Sequence, residues 1–223
     1  WSAALGAWGS SPGALEPDTG NPANVSTDGQ GNLTLTALQQ TVTGPDGKTR
    51  GYTSARIESA GLRSFQYGRI EARMSIPAGS GLWPQLWMLG DNMGSVGWPN
   101  CGEIDIMEMV DQTSVYGTIH GPVTGSSAAY TVQGRVTSPT SLAGGFHTYG
   151  VVWTPGSITW TLDGTPYSTV ARSSLPGGDQ WMFDSQRFHL VLDLAVGGNW
   201  AGAPSASTQF PARLSVDWIR VYQ

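Results

Sequence analysis

Residues 103–108 read Glu-Ile-Asp-Ile-Met-Glu, and this hexapeptide decides the fold prediction. Acidic and large apolar side chains alternate in it, as they do in a strand whose side chains point to two faces in turn. Glu103 and Asp105 then share a face, whereas Glu108 points the other way because its offset from Glu103 is odd. A β-bulge at Ile106–Met107 adds one residue and returns Glu108 to the face of Glu103. The hexapeptide therefore predicts a bulged strand that carries three carboxylates on one surface.

Three carboxylates on one surface have two interpretations. They can be the solvated face of an edge strand, because edge strands often carry charge. They can also be catalytic, because hydrolysis of a glycosidic bond uses a pair of carboxylates. Only 12% of the residues are charged, so the concentration of three carboxylates in six residues favours catalysis.

The composition excludes some classes of partner. The chain has 223 residues, a formal net charge of −5 and ten tryptophans. This acidic balance lacks the basic footprint of a nucleic-acid-binding protein, so the aromatic side chains are better suited to stacking on neutral sugars. The single cysteine, Cys101, cannot form an internal disulfide. No apolar run reaches the length of a membrane span.

Alternation of apolar and polar residues recurs along the chain and predicts further strands. The alternating segments are Leu33–Ala37, Arg69–Ile76, Ile158–Asp163 and Phe188–Ala195, and Leu214–Tyr222 is apolar on both faces. Residues 1–31 are rich in glycine and proline and are expected to be mostly loop. No long helical pattern, repeat or linker divides the chain. We therefore predict a single all-β domain over residues 1–223, a jelly-roll β-sandwich of two antiparallel sheets.

Several segments, in order, resemble glycoside hydrolase family 16, and within it the bacterial endo-β-1,3-glucanases (laminarinases). The matching segments are Tyr67–Arg73 (YGRIEAR), Gly81–Leu89 (GLWPQLWML), Trp98–Glu108 (WPNCGEIDIME), Gly117–Gly121 (GTIHG), Phe146–Tyr149 (FHTY), Val152–Pro155 (VWTP), Leu194–Trp200 (LAVGGNW) and Val216–Tyr222 (VDWIRVY). The resemblance extends over residues 24–223. It implies a jelly roll with a concave sheet that carries the substrate cleft.

The resemblance also implies roles for the acidic strand. Glu103 corresponds to the nucleophile of a retaining mechanism and Glu108 to its acid/base. Asp105 lies between them and would hold and tune their protonation. The chemistry so implied requires no cofactor.

Other candidate residues have competing structural roles. The resemblance implies sugar-subsite roles for Trp83, Trp87 and Trp98, although each of these tryptophans can also be a core anchor. Further candidates for substrate binding are His120, Arg73 and Trp200, with a structural histidine and an ordinary salt bridge as the alternatives for the first two.

The chain departs from the family pattern near its beginning. The family usually has a strand before the tryptophan that matches Trp1, and many relatives bind a structural calcium ion through that strand. Gly31 and Asp217 correspond to the other calcium ligands, so the resemblance implies only a partial calcium site. The stretch Ala7–Gly13 replaces an Asn-Asn-Glu run of the laminarinases, which leaves the exact glucan specificity open.

These observations predict a retaining endo-hydrolase of β-1,3-glucan. The alternatives are a hydrolase or transglycosylase of another β-glucan or β-galactan, and a non-catalytic carbohydrate-binding protein. The predicted partner is a polysaccharide, with no nucleic-acid or membrane partner. A secreted or extracellular monomer is expected, since a processed secreted chain lacks its signal peptide.

Overall fold

The computed structural model describes residues 1–6, 13–44 and 46–223, and nearly all of its regular structure is β-strand. The strands, in chain order, are β1 (Ser2–Ala3), β2 (Val25–Thr27), β3 (Leu33–Thr43), β4 (Thr49–Thr53), β5 (Arg56–Glu58), β6 (Ser64–Phe65), β7 (Gly68–Ser75), β8 (Leu82–Gly90), β9 (Glu103–Glu108), β10 (Ser114–Pro122), β11 (Ala129–Thr137), β12 (Phe146–Thr154), β13 (Ser157–Leu162), β14 (Thr165–Ala171), β15 (Phe188–Val196) and β16 (Ala212–Tyr222). One short helix, α1 (Met93–Val96), and a 3₁₀ turn, Arg172–Ser174, complete the regular elements of these residues. No helix in the described ranges is long and apolar enough to cross a membrane.

The strands form two antiparallel sheets, which confirms the predicted sandwich. The acidic sheet, which contains β9, has the order β1-β5-β15-β8-β9-β10-β11, with β6 paired to β15. The opposite sheet has the order β14-β13-β12-β7-β16-β3-β2, with β4 paired to β3. Strands far apart in the chain, such as β15 and β8, are therefore neighbours next to β9.

The core lies between the two sheets and follows the alternation read from the sequence. In β7, Ile70, Ala72 and Met74 are fully buried, while the residues between them point to the outer surface. The largest fully buried side chains are Trp153 and Trp160, both from the opposite sheet. Aromatic burial of this kind removes a large apolar area from water and stabilises the sandwich.

The predicted bulge in β9 is confirmed by the register on both sides of the strand. Asp105 pairs with Trp87 of β8 and Met107 pairs with the adjacent Leu86, so Ile106 is the extra residue. On the β10 side, the pairing steps from Asp105 to Glu108 across the same point. Ile104, Ile106 and Met107 belong to the core, whereas the three carboxylates lie on the outer face of the acidic sheet.

The first 31 residues are mostly loop where they are described. Within 1–6 and 13–31, the only strands are the short β1 and β2, which pair with β5 and β3. The stretch Ala7–Gly13 falls outside the described residues except for Gly13.

Candidate active site

The acidic strand β9 brings three carboxylates to one face, next to a histidine. The carboxylate oxygens of Glu103 and Asp105 and a ring nitrogen of His120 lie within 4.8 Å of one another. The register of the two strands explains the position of His120, because His120 of β10 pairs with Glu103 of β9. Asp105 and Glu108 are almost completely buried, at 2% and 7% exposure.

Each glutamate has a neutral hydrogen-bond donor of its own. Trp98, in the loop before β9, donates its indole N–H to Glu103 Oε2 at 2.7 Å. Thr118 of β10 donates its hydroxyl to Glu108 Oε2 at 3.4 Å, and Gln133 of β11 donates to the Thr118 oxygen at 3.2 Å. The two glutamates are therefore oriented by different parts of the chain, one by a loop and the other by the sheet.

Asp105 contacts His120. His120 Nε2 lies 3.3 Å from Asp105 Oδ2, and His120 Nδ1 lies 2.9 Å from the Thr131 hydroxyl of β11. Burial lowers the pKa of His120, against the opposing effect of the Glu103 charge. The imidazole is thus kept near its neutral form, in which one ring nitrogen donates and the other accepts.

Burial raises the pKa of all three carboxyl groups because it disfavours the charged form. Burial and the neighbouring Asp105 charge raise the pKa of Glu103 to about 8. Burial likewise raises the pKa of Asp105 to about 7. The pKa of Glu108 lies well above its ordinary value because of burial and then the charges of Asp105 and Glu103. Burial and mutual repulsion therefore both oppose simultaneous ionisation of the three groups.

Glu103 and Asp105 lie side by side and influence each other's ionisation. Their interaction raises the pKa of Glu103 and lowers that of Asp105. The two carboxyl groups therefore titrate as a pair rather than independently.

A further buried carboxylate, Asp193 of β15, supports the acidic strand from beyond β8. It accepts hydrogen bonds from Trp87 Nε1 at 2.7 Å and from Gln85 Nε2 at 3.0 Å. Burial raises its pKa to about 6, although the Arg56 guanidinium opposes the shift. Trp87 and Gln85 are the β8 partners of Asp105 and Glu108, so Asp193 fixes the side chains that flank the catalytic candidates.

The sequence analysis missed Asp193, Gln85, Arg56 and Tyr116 as site residues. A usable signal existed for Asp193, because it is the one polar residue in the otherwise apolar run 190–196 of β15. Gln85 and Arg56 lack such a signal, since their position beside the site depends on the pairing of β5, β15 and β8.

The candidate tryptophans differ in exposure. Trp98 is 47% exposed and Trp200 is 40% exposed, as expected for surfaces that contact a ligand. Trp83 and Trp87 lie on the same outer face but are only 6% and 5% exposed. Trp87 is covered by the Arg56 guanidinium, 4.6 Å from its ring. For Trp87 the core-like alternative left open by the sequence fits better than an open subsite.

An aromatic group borders the Glu108 end of the strand. The ring of Trp200 meets Trp83 edge to face at 5.2 Å and Tyr116 at 4.9 Å between centroids. Tyr116 pairs with Glu108 across β9 and β10. At the other end, Trp98 lies 6.1 Å from the His120 ring. Aromatic side chains therefore flank the carboxylates on both sides.

Arg73 does not join this site. It lies in β7 of the opposite sheet, where its Nη1 is 2.6 Å from Asp217 Oδ2 and its guanidinium covers the Phe146 ring. The alternation in Arg69–Ile76 places Arg73 on the outer face of β7, and that face belongs to the sheet away from β9. The ion pair, the second interpretation left open for Arg73, is what the structure contains.

The same ion pair bears on the calcium site implied by the resemblance. Pairing of Val216 with Leu33 brings Asp217 next to the turn that contains Gly31. The Asp217 carboxylate is neutralised there by Arg73, and calcium prefers six to eight oxygen ligands. One paired carboxylate and one backbone carbonyl do not fit that requirement.

Comparison with known proteins places this geometry in a family. The sequence profile of glycosyl hydrolases family 16 matches residues 17–220. The chain belongs to that family. The match to its catalytic domains is close in three dimensions: the laminarinase catalytic domain from Thermotoga maritima MSB8 superposes with a TM-score of 0.89 at 39% identity, over 100% of this chain and 91% of that one. The predicted jelly-roll class is thereby confirmed.

Curated members of the family carry different names. The chain is 42% identical over 183 residues to a beta-glucanase of Rhodothermus marinus. The alignment covers 78% of this chain and 63% of that protein. It is 36% identical over 208 residues to a keratan-sulfate endo-1,4-beta-galactosidase of Sphingobacterium multivorum, which covers 92% of this chain and 47% of that protein. The chain thus spans less than two thirds of either curated relative.

Proposed function

We propose that this glycoside hydrolase is a retaining endo-β-1,3-glucanase that cleaves laminarin-like polysaccharide. The observation that carries the proposal is the bulge in β9, which places Glu108 on the face of Glu103 with Asp105 between them. Retaining enzymes need two carboxyl groups about 5–5.5 Å apart, close enough that no water fits between nucleophile and sugar. The laminarinase name of the Thermotoga structure supports the choice of β-1,3-glucan.

In the first step, Glu103 attacks the anomeric carbon and Glu108 gives its proton to the leaving glycosidic oxygen. Asp105 lies beside Glu103 and tunes its protonation, so that Glu103 reacts in its ionised form. The raised pKa of Glu108 keeps its proton available near neutral pH. The product of this step is a covalent bond between the sugar and Glu103, with the leaving chain released as an alcohol.

In the second step, Glu108 acts as a base. Now ionised, it removes a proton from a water molecule, which attacks the anomeric carbon and displaces Glu103. Two inversions give net retention of the β configuration. Every proton in this sequence moves between the substrate, water and β9 side chains, so we propose that catalysis needs no cofactor.

Cleavage within the polymer follows from the surroundings of the carboxylates. Trp98 at one end of the acidic strand and Trp200 at the other are both exposed, at 47% and 40%. Sugar residues on both sides of the scissile bond therefore have an aromatic ring to stack on. With a polysaccharide as its substrate, we propose that the enzyme acts outside the cell, and that it does so as a monomer.

A product analysis on a glycan panel tests the proposal. Laminarin should give oligosaccharides whose first-formed reducing ends are β by proton NMR. An α-anomer formed first would contradict the retaining geometry, and failure to cut laminarin would contradict the substrate. The panel should include keratan sulfate, because of the Sphingobacterium relative. Cleavage of that polymer alone would identify a β-galactan hydrolase with the same mechanism.

A further inference from the structure

The bulge in β9 is contacted from the opposite sheet by a buried indole. Trp160 of β13 is fully buried and donates its Nε1–H to the backbone carbonyl oxygen of Asp105 at 2.7 Å. Asp105 immediately precedes Ile106, the residue that the bulge adds. A bulge disrupts the ladder locally, and buried carbonyls without a partner are unfavourable. The indole N–H thus supplies a partner at the point where the ladder is interrupted.

Two glycines of the acidic sheet let the opposite sheet approach closely at the bulge. Gly117 of β10 lies opposite the bulge, between the partners of Asp105 and Glu108. A Cβ atom built on Gly117 would come within 2.5 Å of Trp160 Nε1, so only glycine leaves space for the indole there. Gly117 pairs with Gly134 of β11, where a Cβ would overlap the Ser168 side chain of β14. The two sheets therefore approach closely at the bulge.

We propose that Trp160 is a positioning residue: its indole N–H fixes the bulge and thereby keeps Glu108 on the face of Glu103. The proposal rests on the proposed function, in which both glutamates act on one sugar. Without the bulge, the strict alternation of a strand would turn Glu108 toward the core. A bulge that shifts by a fraction of a residue would misplace the acid/base relative to the nucleophile.

The test compares two equally buried tryptophans. Trp160→Phe removes the N–H donor and part of the ring. Trp153→Phe is the matched control, because Trp153 is also fully buried in the opposite sheet and donates its Nε1–H to a backbone carbonyl, that of Phe183, at 3.0 Å. We expect Trp160→Phe to lower kcat on laminarin by about tenfold or more with little change in KM, since small misplacements of catalytic groups are costly. We expect Trp153→Phe to lower thermal stability but to leave kcat within about twofold.

A second readout separates positioning from general loosening of the fold. If the bulge shift displaces the acid, the loss in Trp160→Phe should be smaller on an aryl glucoside with a good leaving group than on laminarin, because such a substrate needs little protonation. Glu108→Ala measured in parallel should show the same dependence. If Glu108→Ala lacks it, the acid/base assignment fails, whereas the kcat comparison of the two tryptophan variants still tests the role of Trp160.

Three outcomes would overturn the proposal: a kcat for Trp160→Phe within about twofold of wild type, an equal loss in Trp153→Phe, or an equal loss of Trp160→Phe on both substrates when Glu108→Ala does distinguish them. If Trp160→Phe does not fold, replacement of Trp160 by its benzothiophene analogue takes its place, because sulfur replaces only the N–H and the shape is kept. The same three outcomes then decide.

Discussion

Trp98 Nε1 lies 2.7 Å from Glu103 Oε2, so an exposed loop tryptophan donates a hydrogen bond to the proposed nucleophile. A hydrogen bond to the ionised form stabilises that form, and this one lowers the pKa of Glu103 against the large effect of burial. Trp98 therefore combines two features in one side chain. Its face is open for a sugar ring, and its edge favours ionisation of the carboxylate.

Trp98→Phe should shift the acid limb of the kcat/KM profile to higher pH. Phenylalanine keeps an aromatic face but donates no hydrogen bond, so the pKa of Glu103 should rise and ionised nucleophile should appear only at higher pH. A pH–rate series on laminarin measures this. An acid limb that stays in place would mean that the hydrogen bond does not influence the ionisation that limits activity.

Glu103→Ala should lower the turnover of laminarin by several orders of magnitude, while the melting temperature stays close to that of wild type. The reason is that no covalent glycosyl intermediate can form without the carboxylate. Activity assays and melting curves on the same preparation give both answers. Turnover within about tenfold of wild type would remove Glu103 from the nucleophile role.

Trp87→Ala and Trp98→Ala should differ in what they lose. Trp87 is 5% exposed and hydrogen-bonded to Asp193, so its truncation should lower the free energy of unfolding by about 3–5 kcal/mol. Trp98 is 47% exposed, so its truncation should cost less than about 1 kcal/mol of stability and should weaken polysaccharide turnover instead. Denaturant unfolding and laminarin kinetics distinguish the two. Equal destabilisation would show that Trp98 is also part of the packed structure.

Thermal stability should fall as the pH rises from about 4 to about 7. Burial raises the pKa of Asp193 to about 6 and that of Asp105 to about 7. A carboxyl group whose pKa is higher in the folded state contributes stability below its unfolded pKa of about 4. That contribution is lost as the pH rises from the unfolded pKa to the folded pKa. In this range the unfolded chain binds fewer protons than the folded chain.

Asp193→Asn should make this pH dependence less steep, because the amide cannot ionise. Asp46→Asn is the matched control: the Arg50 hydrogen bond lowers the pKa of Asp46, which therefore stays ionised throughout the window. Melting temperatures of the three proteins across the pH series provide the comparison. The same slope in wild type and Asp193→Asn would show that ionisation of Asp193 contributes nothing to the effect.

Calcium should change the melting temperature of the wild-type protein little, because Arg73 already neutralises Asp217. Arg73→Ala frees the carboxylate next to Gly31, and calcium should stabilise this variant more than wild type. A ligand stabilises the folded state more when it binds that state more tightly. Melting curves of wild type and Arg73→Ala, each with calcium and with chelator, therefore measure the effect of calcium on both proteins. A fall of about 5 °C or more for wild type in chelator would indicate ligands beyond these two.

The sequence by itself determined the features that depend on neighbours along the chain. The order of charged and apolar residues in 103–108 requires a bulge if all three carboxylates are to share a face, and the structure has it at Ile106. The alternation in β7 and β15 likewise follows from the two-residue repeat of a strand. These inferences need no knowledge of which strand lies beside which.

Only the tertiary structure decided which face each alternating row occupies and which distant residues meet there. The alternation places Arg73 on the outer face of β7, but β7 belongs to the sheet opposite β9. There Arg73 forms an ion pair with Asp217 of the neighbouring strand β16. Asp193 reaches the site because β15 pairs with β8, although about 90 residues separate it from Asp105. The exposure of Trp98 and the burial of Trp87 depend on loops and on Arg56. Strand pairing joins residues far apart in the chain, and the local pattern of side chains does not specify which strands pair.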